Sequence, residues 1–175
     1  MTPEYLAEVD SDDKVLAVHP KEKLKEIKFR HRISLVLPKA PGNKFYFARR
    51  AKNKFPFPDV WTCAVGGKVR ADESYEQACL REMQEEVGFE TKIDYVATSK
   101  LDLPDEKAIA KIYTTAQEIP LVWFKLDPAE IQFLTALSIE EMARIITKNP
   151  QACAPTFRKH FQVFQENYCQ FKGKE

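Results

Sequence analysis

Three glutamates, Glu82, Glu85 and Glu86, stand at i, i+3 and i+4 in a segment with the local marks of a helix. Ser74 and Gln77 have capping-box spacing, and Gly88 sits where a helix commonly stops, so the sequence predicts a helix over Ser74 to Val87. At about 100° per residue the three carboxylates share one stripe, which Tyr75 and Ala78 continue. Leu80, Met83 and Val87 form an apolar stripe about a third of a turn away, which would anchor the helix on a sheet and leave the acids at its margin. Like charges at that spacing repel unless a cation compensates them, and a hard divalent ion is the natural compensator. A solvated acidic helix face is the plainer reading of the spacing alone.

The rest of the chain narrows the setting. Its 175 residues suit one domain, over 1–175, with the first thirty residues as a small hairpin appendage. Charges nearly cancel, 27 basic against 26 acidic, so no global field argues for nucleic acid or an anionic membrane surface, and any phosphate recognition must be local. Cys63, Cys79, Cys153 and Cys169 show neither zinc-site spacing nor the density of a disulfide scaffold, and are expected to be reduced thiols. Acids interrupt the N-terminal stretch, and the longest apolar run, Ile119 to Phe124, is too short to span a bilayer; a soluble, cytoplasmic protein is expected.

No repeat or Gly/Ser linker breaks the chain. Tyr5 to Val9 and Val15 to Val18 read as a hairpin around Asp10-Ser11-Asp12-Asp13, and Lys21 to Lys28 as a charged, weakly helical connection. His31 to Leu37 and Lys44 to Arg50 look like paired strands, and Trp61 to Val65 a further strand running into Gly66-Gly67. Later strands are expected at Lys92 to Thr98, Ala108 to Thr115 and Ile119 to Lys125, and helices at Ile139 to Thr147 and Phe157 to Tyr168. One long helix among strands favours a layered α/β domain with a mixed sheet.

Between Gly67 and Phe89 the chain reads GKVRADESYEQACLREMQEEVGF, which resembles the Nudix box, Gly-x5-Glu-x7-Arg-Glu-U-x-Glu-Glu-x-Gly-U with U a bulky apolar residue. Gly67, Glu73, Arg81, Glu82, Glu85, Glu86 and Gly88 fill its fixed positions, with Met83 and Phe89 at the apolar ones; chance would supply this on the order of once in a million sequences. The flanks resemble the isopentenyl diphosphate isomerase-like branch of that superfamily: Arg49-Arg50, Lys54 and Pro58-Asp59-Val60-Trp61-Thr62 stand in the same order and interval. The resemblance implies an α/β/α sandwich with a mixed β-sheet. It implies metal binding by Glu82, Glu85 and Glu86 with the carbonyl of Gly66, and orienting roles for Arg81 and Glu73. The cofactor would be magnesium, with manganese as the alternative. The reaction would be attack of water on the phosphoanhydride of a small-molecule, for instance nucleoside, diphosphate linked to another moiety.

The departures matter as much. The isomerases carry a catalytic cysteine and a metal-binding histidine on either side of the first box glycine, where this chain has Gly66 and Lys68; another of their histidines falls at Leu24, while His31 is retained. Without that acid/base machinery the resemblance implies a hydrolase and not an isomerase. A module that binds a nucleotide without cleaving it is the rival from another class, and the intact acids argue against it. Glu118 corresponds to one acid of the isomerase site and would be a further metal ligand or the general base; an exposed acid at a strand start is the plain alternative. Arginine's fork suits phosphate oxygens, so one of Arg49 and Arg50 is expected on a diphosphate, since neighbours on a strand face opposite ways. Lys52 and Lys54 read as a solvated loop. Trp61, Phe55, Phe57 and Phe124 suit a core or a stacking surface, and His19 and His160 read as surface or satisfied histidines. Phe157, Phe161 and Phe164 would serve a core or a homodimer interface equally well.

Overall fold

The computed structural model describes residues 3–172 and begins with the expected hairpin, β1 (Tyr5–Val9) against β2 (Val15–Pro20). Asp10 sets its turn: Oδ1 accepts the N–H groups of Asp12 at 2.8 Å and Lys14 at 2.9 Å. The hairpin is stitched to the body. Ala71 N–H donates to Tyr5 O at 2.8 Å, and the Glu4 carboxylate accepts from both Lys21 and Arg70. The charged connection that follows forms a short 3-10 helix, Lys21–Lys25.

The expected pairing of the next two strands is corrected. In β3 (His31–Leu37) the successive residues Leu35, Val36 and Leu37 are all buried, so the strand needs cover on both faces. It lies inside a four-stranded sheet, antiparallel to β7 (Val65–Lys68) and parallel to β9 (Lys107–Thr115), with β8 (Ile93–Asp102) beyond β9. Pro38 ends β3. The two-residue β4 (Lys39–Ala40) then turns back through Gly42 and Asn43, both at positive φ, to pair with β5 (Lys44–Arg50). A second sheet gathers β5 with β4, β6 (Trp61–Cys63) and β10 (Ile131–Leu137), all antiparallel.

The strand expected at Ile119 to Lys125 is absent. Pro120 cannot donate to a ladder, only Ile119 is buried, and Leu121–Trp123 forms a 3-10 turn instead. Its place in the second sheet is taken by β10, whose polar Gln132 and Thr135 hid it in the sequence. The two closing helices are α2 (Ile139–Lys148), begun by a Ser138/Glu141 capping box, and α3 (Pro155–Lys172), which begins at Pro155 before the expected start.

The helix α1 (Tyr75–Val87) forms as its local signals predict. Ser74 Oγ accepts the Gln77 N–H at 3.2 Å, Gln77 Oε1 accepts the Ser74 N–H at 2.7 Å, and Gly88 closes the helix at φ 82°. Alternation along the central strands places two helices on opposite faces of the mixed sheet. Val36 and Tyr113 cluster with Met83 and Val87 of α1, while Leu35 and Ile112 cluster with Phe157, Phe161 and Phe164 of α3. This is an α/β/α arrangement, and the phenylalanines of α3 belong to the core.

Candidate active site

The buried face of α1 is centred differently from the predicted one. Tyr75, Ala78, Cys79, Met83 and Val87 are buried, while Leu80 is only half-buried. The acidic stripe therefore turns towards the sheet: the Glu82 side chain is 14% exposed against 53% for Glu85. This brings the helix against β7, the edge of its sheet, where the two glycines make room. A Cβ on Gly67 would lie 2.0 Å from Glu82 Oε1, so the carboxylate rests on the bare backbone. The neighbouring Gly66 N–H donates to Glu86 Oε2 at 3.0 Å.

Arg81 organises these acids. Its Nη1 donates to Glu82 Oε1 at 2.7 Å and Glu85 Oε2 at 3.2 Å, and its Nη2 to Glu73 Oε1 at 2.7 Å and Lys68 O at 3.2 Å. Glu73 Oε1 also accepts the Arg70 N–H at 2.7 Å. Burial works against the Glu73 charge, yet the hydrogen bonds from Arg81 and Arg70 hold its carboxyl below the ordinary range, and Arg81 is held firmly protonated by Glu73 in turn. Glu86 is the opposite case: burial and then the nearby Glu82 push its carboxyl up to about 8. Glu82 is raised too, by burial, against the pull of Arg81.

Among the described residues no three His, Cys, Asp or Glu side chains gather around one point, and the Arg81 guanidinium joins Glu82 to Glu85. The donor set nevertheless fits a hard divalent cation. It is all oxygen, it crowds carboxylates whose burial penalises their charge, and it lies over a glycine cradle that any side chain would fill.

Glu82, Glu85, Glu86 and Gly66 line a cavity of about 640 Å³. Strand alternation separates the two arginines. Arg50 lines the cavity, anchored by donation from Nε to Phe57 O at 2.9 Å and from Nη2 to Pro56 O at 3.0 Å. Arg49 turns away, donating to Asp59 at 2.8 Å with its guanidinium 5.5 Å from the Trp61 ring. Glu118 is not brought to this cavity. The stretch that follows β9 is tied to β4 through Ile119 N–H donating to Lys39 O at 2.8 Å, and Glu118 lines a smaller, separate cavity with Asn43 and Tyr168.

Several lining residues escaped the sequence reading. Lys54, read as solvated, bonds Glu130, and both line the cavity. The segment carrying Glu130 is docked on the end of α1, with Asp127 N–H donating to Glu86 O at 3.0 Å. The Asp127-Pro-Ala turn, where Asp127 accepts the Ala129 N–H at 2.8 Å, was the visible signal of a bend there. Lys68 lines the cavity, and burial lowers its pKa. His31 is buried behind the lining, its pKa pushed down to about 4 by burial and then by Lys68. Cys63 also lines the cavity, but burial pushes its thiol up to about 12, leaving it neutral and unfit to replace the isomerase cysteine. Phe55 and Phe57 line the cavity and are exposed, while Trp61 and Phe124 are partly buried against the core clusters. His160, read as a surface or satisfied histidine, is 4% exposed and lines the cavity.

The NUDIX domain family model matches residues 28–157. A prenyl-diphosphate phosphatase of Methanosarcina mazei is 28% identical over 163 residues, covering 92% of this chain and 95% of that protein. Isopentenyl-diphosphate Delta-isomerase 1 of Photorhabdus laumondii is 24% identical over 134 residues, 72% of this chain and 74% of the isomerase. The crystal structure of DR0079 from Deinococcus radiodurans superimposes with a TM-score of 0.76 at 20% identity, over 91% of this chain and 98% of that one, a likeness of fold. No helix among the described residues is long and apolar enough to cross a membrane.

Proposed function

Because the chain belongs to the NUDIX family and is a diphosphate hydrolase, we propose that it cleaves the phosphoanhydride of a small organic diphosphate whose other moiety is largely apolar. One observation carries this reading: the acids of α1, the cations Arg50, Lys54 and Lys68, and the apolar side chains Leu35, Cys63 and Phe157 line one continuous cavity. A diphosphate needs the charged part, and the moiety it carries needs the apolar part. The likeness to a prenyl-diphosphate phosphatase along almost the whole chain supports the same choice.

Glu82, Glu85 and Glu86 with the Gly66 carbonyl would hold magnesium, or manganese, which when bound neutralises phosphate charge and eases the loss of a proton from water. The chain's own groups do the rest. Arg50 is pinned by two backbone carbonyls, so its guanidinium meets a phosphate oxygen with little ordering cost. Lys54 and Lys68 add positive charge at the wall. Arg81 fixes the directions of Glu82 and Glu85, and the Gly66 N–H fixes Glu86. Glu118 has no part in this reading, since it faces a different cavity. A nucleoside moiety is the second reading, favoured by Phe55, whose ring is exposed where the cavity opens and could stack on a base.

Purified protein with magnesium should be offered prenyl diphosphates, nucleoside diphosphates and nucleoside diphosphate sugars, with products resolved by mass spectrometry. Release of phosphate from a prenyl diphosphate, lost in Glu86→Gln, is the expected result. A Glu86→Gln protein as active as the wild type would refute the assignment of roles, and turnover confined to nucleotides would refute the apolar moiety.

A further inference from the structure

The wall of the cavity formed by the start of α3 contains one residue that is chemically out of place. Phe157 there belongs to the aromatic core, as do Leu35 and Cys63, yet His160 lines the same wall. Thr156 lines it too, and residues at i and i+4 share one face of a helix, so a hydroxyl and an imidazole stand on one stripe. The His160 ring is 4% exposed. Its Nδ1 is shut away with no hydrogen-bond partner, whereas Nε2 is not sealed in this way, and the space that His160 lines is the cavity.

A buried polar atom without a partner is a standing cost to folding, and a phenylalanine at this position would avoid it. Burial alone pushes the His160 pKa down to about 4, so the ring is neutral near pH 7. A neutral imidazole has one proton to place. A sealed N–H without an acceptor is a worse defect than a sealed bare nitrogen, so the proton belongs on Nε2 and makes it a donor beside the Thr156 hydroxyl, next to the apolar Phe157, Leu35 and Cys63.

We propose that His160, with Thr156, selects diphosphates whose organic moiety carries a hydrogen-bond acceptor remote from the phosphates: an oxygenated apolar chain in preference to a plain hydrocarbon. This rests on the hydrolase reading given above. A plain hydrocarbon would strip water from Nε2 and from the Thr156 hydroxyl and return nothing, whereas an oxygen on the chain would take up the donor. Sites built to hydrogen-bond a substrate group reject the analogue that lacks it more strongly than apolar pockets reject an added one.

The test compares wild type, His160→Phe and His160→Gln, with magnesium, on octyl diphosphate, its ω-hydroxy derivative and ADP. The wild type should favour the hydroxylated chain over the plain one by about tenfold in kcat/KM, carried by KM, which is the worth of one neutral hydrogen bond. His160→Phe should bring that ratio close to unity, and His160→Gln, which keeps a side-chain donor, should restore part of it. The Nε2 resonance of His160 should shift when the hydroxylated chain binds and stay in place with the plain one. A general folding defect lowers turnover of both chains alike and leaves the ratio unchanged; if His160→Phe does not fold, the wild-type preference and His160→Gln decide. Cleavage of both chains with the same ratio in wild type and variants would overturn the inference and leave the hydrolase reading standing. Cleavage of ADP and of neither chain would overturn both the apolar moiety and the inference.

Discussion

Replacing Gly67 by alanine should separate catalysis from stability. The added Cβ would sit 2.0 Å from Glu82 Oε1 and 2.1 Å from the carboxyl carbon, where real Cβ contacts do not fall below 3.0 Å. The carboxylate must therefore retreat by at least about 1 Å, against the steep repulsive wall of a non-bonded contact. It is the far end of a flexible side chain, so it can do so. The loss to folding is confined to one hydrogen bond from Arg81, at most about 1.5–3 kcal/mol for a charged pair and less here, because Arg81 keeps Glu73 and Glu85. A shift of about 1 Å in a group that positions reacting atoms can cost on the order of 100-fold in rate. Gly67→Ala should thus fold, bind magnesium more weakly and lose about two orders of magnitude in kcat. Gly88→Ala makes the opposite control: φ is 82° and the new Cβ would meet Lys125 Cβ at 2.8 Å, so stability should fall by about 1–2 kcal/mol with most activity kept. Phosphate release on the fastest substrate, calorimetric magnesium titration and urea unfolding measure the three quantities. Wild-type activity in Gly67→Ala, or a loss of activity only in proportion to unfolded protein, would refute the reasoning.

Arg50→Lys should raise KM by about tenfold, because a single ammonium nitrogen lacks the planar fork that reaches both carbonyl anchors while presenting further N–H groups to phosphate, whereas Arg49→Lys should leave KM almost unchanged; equal effects in steady-state kinetics would contradict the placement of the pair. Glu118→Gln should keep nearly full turnover and Glu130→Gln should not, a comparison that fails if their order is reversed. Burial holds His31 and His160 near pKa 4, below the 6.5 of an unfolded histidine, so the unfolded chain takes up protons first as pH falls. Each therefore removes stability below about pH 6.5, amounting to about 3 kcal/mol once the pH is below 4. Glu86, raised to about 8, works in the other direction, so the measurement is the difference between wild type and His160→Phe. Urea unfolding at pH 7 and pH 4 should show the variant losing about 3 kcal/mol less; parallel losses would mean the buried ring is charged.

The parts of this molecule that could be read from the sequence are those whose causes are local. The capping box at Ser74, the αL stop at Gly88 and the spacing of Glu82, Glu85 and Glu86 are all decided within one helix. The separation of Arg49 from Arg50 follows from the pleat of one strand. What could not be read depends on which distant segments meet. Nothing near Leu37 says that β3 will lie parallel to β9 and leave β5 to β10, because that choice is settled by burial of both faces. Glu118 is close to its strand by sequence, yet with Ile119 tied to Lys39 it lines a separate cavity. Glu130 and His160 reach the cavity only because α1 docks the 127–131 turn and the aromatic core fixes the roll of α3.

The cavity wall has two origins along the chain. The acids, the glycine cradle, Arg50 and Lys68 all fall inside the matched stretch 28–157, whereas Glu4 and Lys21 of the hairpin region and His160 of α3 fall outside it and line the same space. The candidate metal-binding acids thus lie in the stretch that the family model matches, and the two flanks lie outside it. Exchanging those flanks between relatives should move substrate preference while the acidic helix keeps its chemistry. Trimming a gene to the shared stretch would take away Glu4, a partner of Arg70, together with the imidazole, and leave an enzyme with its reactive centre but an open-sided pocket.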